Sequence, residues 1–108
     1  MLTVEHLLYA LLFDETGSRI LRNCGADIEE LREQLENFFV DKLERLPDTS
    51  KKEIIQTIGV QRVLQRALLH VQSSEKGEVD AGDVLAAILE EDDSYAVYFL
   101  KAQDVSRL

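Results

Sequence analysis

The chain of 108 residues has one cysteine, one proline, five glycines, no tryptophan, and only 12 Lys and Arg against 21 Asp and Glu. Because Cys24 is the only cysteine, no disulfide can form within the chain, and a reducing, cytoplasmic setting is expected. A formal net charge of −9 repels phosphate backbones, so nucleic acid is not an expected partner. The apolar runs break at Asp14 and near Arg19, far short of the roughly 20 residues that cross a bilayer, so no membrane partner is expected. Nothing after Met1 has the basic start and small-residue cleavage site of a signal peptide. With turn formers this scarce and no long alternating run, helix is the expected state throughout: an all-α fold in one domain, 1–108.

What is present supports this. Thr3 is a good N-cap for a short helix from Val4 to Leu12 that is apolar nearly all round. A turn at Asp14 to Gly17 leads to a second helix ending at Cys24, with Gly25 placed to adopt the left-handed C-terminal conformation. Asp27, followed by Glu30, opens a third helix whose buried stripe is Ile28, Leu31, Leu35, Phe38, Phe39 and Leu43. From Glu44 to Gly59 the period fades around Pro47 and Asp48, which reads as a linker. Val60, Val63, Leu64, Ala67, Leu68 and Val71 then mark one buried helical face. Short helices from Asp80 and Ser94 follow, and Asp104 reads as the cap of one more.

Residues 3–31 align without gaps on 80–108. Leu8 with Leu85, Ala10 with Ala87, Leu12 with Leu89, Asp27 with Asp104 and Leu31 with Leu108 are identical. Matching caps and apolar registers predict a pseudo-duplicated bundle: repeat one 1–43, linker 44–59, repeat two 60–108. The helix that precedes the second copy has no counterpart before the first, and the helix begun at Asp104 is cut short. The expectation is two four-helix units with the first and last helices missing or truncated, leaving apolar surface for self-association.

Chemistry-bearing constellations are sparse. His6, Cys24 and His70 do not have the spacing of a structural zinc site, so no metal or cofactor is assigned, and no base stands near Cys24 to make it a nucleophile. Glu29 and Glu30 sit where carboxylates favour a helix N-terminus; Glu90, Glu91, Asp92 and Asp93 read as a solvated loop. No GxxxxGK[ST] loop is present, so ATP chemistry is not expected from this chain. From Ile54 to Ser74 there is no acid, and Arg62, Arg66 and Ser73 cluster with Leu69 opposite the apolar face. That stripe is either a solvated polar face or an arginine-rich docking surface.

Three segments, TVEHLLYALL at 3–12, VQRVLQRALLHVQSS at 60–74 and DVSRL at 104–108, resemble the amino-terminal domain of the ClpA-type AAA+ unfoldases. The resemblance implies an all-helical pseudo-repeat without catalytic activity, joined to an ATPase ring that feeds the ClpP peptidase. It also implies binding of the ClpS adaptor and delivery of protein substrates, including N-degron proteins. By matching motif positions, it implies that Glu5, Thr57 and Arg62 face the adaptor, with Gln61 beside them. A general helical module that binds unfolded or N-terminal peptides directly is the alternative. A small enzyme using Cys24 or a histidine is a third reading.

Overall fold

The computed structural model describes residues 3–43, 49–74 and 77–105, with side chains described for 3–41, 58–72 and 77–105. Among these residues six α-helices follow in order: α1 (Val4–Leu12), α2 (Glu15–Asn23), α3 (Ile28–Phe38), α4 (Thr49–Ser74), α5 (Ala81–Leu89) and α6 (Tyr95–Ala102). A π-helical turn, Phe39–Leu43, extends α3. No strand occurs among the described residues, in agreement with the all-α expectation. Among the same residues, no helix is long and apolar enough to cross a membrane.

Local chemistry sets most helix starts. Thr3 Oγ1 accepts from the His6 N–H at 3.1 Å, while His6 Nδ1 accepts from the Thr3 N–H at 3.2 Å, a reciprocal capping box. Burial pushes the His6 pKa down, which favours the neutral ring that this acceptor role requires. At α5 the same device is built from two aspartates, Asp80 and Asp83, each accepting the other's backbone N–H at 3.0 Å. Asp14, Asp27 and Ser94 cap α2, α3 and α6 through single side-chain acceptors.

One apolar cluster takes residues from both halves. Leu8, Leu21, Leu31 and Leu35 pack with Val63, Leu85, Ile88, Val97 and Leu100, all at most 1% exposed. Their burial drives the assembly, because the short helices α1, α2, α5 and α6 would not persist alone in water. Polar ties close the periphery: Asp27 N–H donates to Gln103 Oε1 at 2.6 Å, and Tyr9 Oη–H donates to Glu36 Oε2 at 3.1 Å.

Three sequence expectations change. The helix expected from Val60 starts at Thr49, inside the segment read as a linker; of that segment, 44–48 lies outside the described residues. Only Val60, Val63, Ala67 and Val71 of its apolar face are buried, whereas Leu64 and Leu68 are exposed. The buried residues recur as i, i+3, i+7 and i+11, a narrow seam against α5, and the two leucines fall to one side of it.

The third change is one of register. The ungapped alignment agrees with the first helix of each half, Val4–Leu12 and Ala81–Leu89. Beyond them, the α5–α6 connection is longer than the α1–α2 turn, and α6 is one residue shorter than α2. Asp104 is therefore not an N-cap. Its φ is 62°, its N–H donates to the Lys101 carbonyl, and Val105 N–H donates to the Leu100 carbonyl. Gly25, at φ 92°, and Ala26 make the same bonds to Arg22 and Leu21. Asp104 thus occupies the left-handed position after α6 that Gly25 occupies after α2. The identity of Asp27 with Asp104 does not mark equivalent positions in the chain path, and Leu108, paired by the alignment with Leu31, lies outside the described residues.

This pairing generates a matched prediction. A Cβ at Gly25 would touch nothing within 4 Å, so Gly25→Ala tests conformation alone and should cost about 1 kcal/mol. Asp104→Gly should stabilise by about 0.5 kcal/mol, because it relieves a side chain from a positive φ. Urea unfolding followed by circular dichroism checks both signs; destabilisation by Asp104→Gly would contradict the assignment.

Candidate functional site

A cleft of about 570 Å³ opens where the start of α1, the middle of α4 and the α5–α6 connection meet. Its lining includes Glu5, Gly59, Arg62, Arg66, Glu91 and Tyr95. The fold thus brings Glu5 and Arg62, 57 residues apart in sequence, into one depression. Gln61 is exposed but does not line the cleft, and the Thr57 side chain lies outside the described residues, although its backbone is within α4.

Each side chain is held for a local reason. Glu5 lies in the first turn of α1, fixed by the Thr3–His6 capping box. It is only 6% exposed, and its Oε2 accepts the Ala96 backbone N–H at 3.1 Å. The carboxylate therefore satisfies a donor in the first turn of α6, where the helix dipole also favours negative charge. Glu5 forms a wall of the cleft by locking α1 to α6, rather than standing as a free acceptor on its surface.

The arginines are also engaged. Arg62 donates from Nη2 to Glu91 Oε1 at 2.8 Å and from Nε to the same oxygen at 3.1 Å. Arg66 donates from Nη1 to Glu91 Oε2, and its Nε lies 3.2 Å from Glu90 Oε2. The basic stripe is thus one half of a charge network with the α5–α6 connection, not an unpartnered face. Here the solvated-loop expectation fails for one residue. Glu91 is 8% exposed, while Asp92 and Asp93 are exposed.

Burial alone would push the Glu91 pKa up. Hydrogen bonds and charge from Arg62 and Arg66 more than offset it and hold the carboxyl below the ordinary carboxylate range. Sequence reasoning missed Glu91 because four consecutive acids look alike until one is folded under two arginines. A signal did exist: Arg62 and Arg66 are spaced i, i+4 on one face, a geometry that can clasp a single carboxylate.

Elsewhere, Phe38, Tyr95, Tyr98 and Phe99, with Gln34, Asn37 and Asp41, line a shallow groove of about 480 Å³. The Phe38 and Tyr95 ring centroids are 4.9 Å apart, and Tyr98 is 66% exposed. His70 lies 3.5 Å from Asp83, and Cys24 is half-buried at the end of α2. Among the described residues, no group of three or more His, Cys, Asp and Glu side chains could hold a metal ion.

The Glu91 pKa yields a pH prediction. Because the folded value is lowered, its stabilising contribution is complete above the unfolded carboxylate value, about pH 4.3, and is lost as pH falls through the folded value. Glu91→Gln should cost about 1–3 kcal/mol at pH 7. The difference from the parent should shrink progressively below about pH 4.3, as the parent's own carboxyl protonates. Denaturant unfolding at stepped pH measures it; a difference that does not vary with pH would remove the charge network as its cause.

A family model, the Clp repeat (R) N-terminal domain, matches residues 1–103. A ClpA homolog protein of Fuscovulum blasticum is 42% identical over 106 residues, which is 97% of this chain and 13% of that relative. The chain therefore spans a small part of the relative's length. The helical bundle and the extent of these matches lead to one assignment: the chain belongs to the Clp repeat N-terminal domain family.

Proposed function

We propose that this chain is a ClpA-type N-domain that serves as a noncatalytic docking module: it binds the ClpS adaptor and helps pass protein substrates to a cytoplasmic ATPase ring and thereby to ClpP. The observation that carries the proposal is the convergence of Glu5 and Arg62, two of the adaptor-facing positions implied by resemblance, on one cleft. Arg62 presents 55% of its side chain to solvent and supplies the recognition charge. Glu5 acts from beneath by fixing the α6 end of the cleft wall. Gln61 and Thr57, the other positions implied by the resemblance, belong to α4, the helix that carries Arg62. The similarity to the ClpA homolog protein supports the same reading.

Direct peptide binding is kept as a second reading because of the aromatic groove between α3 and α6, whose exposed Tyr95 and Tyr98 suit an unfolded apolar segment.

Calorimetric titration with purified ClpS tests the first reading, and absence of a complex with the parent chain would overturn it. Arg62→Ala should weaken ClpS binding about tenfold or more. It should also lower the melting temperature, because Glu91 then loses a partner. Tyr98→Ser should leave ClpS affinity unchanged and should weaken binding of a fluorescent unfolded peptide only if the second reading holds.

A further inference from the structure

Arg62 and Glu91 divide the guanidinium between them in a way that bears on docking. Glu91 takes the side-on edge of Arg62: its Oε1 receives Nε–H at 3.1 Å and Nη2–H at 2.8 Å, and its Oε2 lies 3.4 Å from the same Nε. Oε2 is also held by Arg66 Nη1. The Glu91 side chain is 8% exposed, that of Arg66 33% and that of Arg62 55%, so the carboxylate forms the back of the cleft and Arg62 its front. Among the described residues, no hydrogen bond of Arg62 involves Nη1.

We propose that Glu91 is the positioning residue of this cleft: it clamps the inner edge of Arg62 so that Nη1 is presented, already oriented, to an acceptor on a protein partner. This inference rests on the docking reading above. A long arginine side chain samples many rotamers, and a partner that must order it loses affinity; prior clamping removes that cost. The clamp also limits what the partner can offer. Because Nε is occupied, side-on bidentate pairing is closed, and the partner's carboxylate or backbone carbonyl must approach end-on, along the Nη1 edge. Lysine cannot replace this residue, since its single ammonium cannot serve Glu91 and a partner through two fixed edges.

A double-mutant cycle with ClpS as the probe tests the inference. Glu91→Gln should weaken binding about five- to tenfold, with helicity at 20 °C unchanged, and should cause no further loss in the Arg62→Ala background. Arg62→Lys should bind as weakly as Arg62→Ala. Equal losses from Glu91→Gln in both backgrounds, or none while Arg62→Ala weakens binding, would overturn the positioning role. Nitrogen-15 NMR of the arginine Nε–H groups gives a readout that needs no partner. The Arg62 signal should exchange slowly with water in the parent and rapidly in Glu91→Gln; rapid exchange in the parent would sink the proposal. If ClpS fails to bind the parent while the protected Nε–H signal is seen, the adaptor reading falls and the clamp stands.

Discussion

The Glu91 carboxylate, buried between Arg62 and Arg66, is the constraint on which the geometry of the cleft depends. Helix α4 carries the arginines and packs its valine seam on α5, and the connection that leaves α5 returns Glu91 over the same helix. Charge and packing therefore fix α4 from two directions. A buried carboxylate with two cationic donors stands near balance between desolvation cost and Coulombic gain, so its value to the fold is directional as much as energetic. It decides where the α5–α6 connection lies, and with it the position of Ser94, which caps α6.

A second polar tie completes the frame. Glu5, itself fixed by the Thr3–His6 capping box, reaches across to the first turn of α6 and accepts the Ala96 N–H. Two carboxylates with little exposure thus line one cleft, one bound to a helix start and one to a pair of arginines. Charges of both signs are drawn into fixed places in a chain of net charge −9, while Asp92 and Asp93 beside Glu91 remain in solvent. That division suits a docking surface: fixed groups supply orientation, and the exposed field governs encounter with partners of opposite charge.

The aromatic groove has a different origin. The π-helical turn Phe39–Leu43 continues α3 beyond Phe38, and Phe39 stacks on His6 with ring centroids 4.4 Å apart. Phe38 is left against Tyr95 and Phe99 of α6. The cleft and the groove share Tyr95, so α6 carries residues of both surfaces.

Composition and local pattern by themselves determined the all-helical state, the N-caps at Thr3, Asp27, Asp80 and Ser94, and the left-handed glycine at Gly25, because each depends on residues within a turn of one another. The same pattern misjudged Asp104, since an ungapped alignment does not register a longer connection before α6. It placed Leu64 and Leu68 in the core because helical period reports which residues share a face, not how wide a face its neighbour covers. Family motifs pointed to Glu5 and Arg62, but only tertiary structure decided that one is a buried strut and the other an exposed, clamped cation. The physical reason is that Glu91 is one of four successive acids in the chain, and its pairing with α4 arises only when α5 folds back and takes that carboxylate out of water.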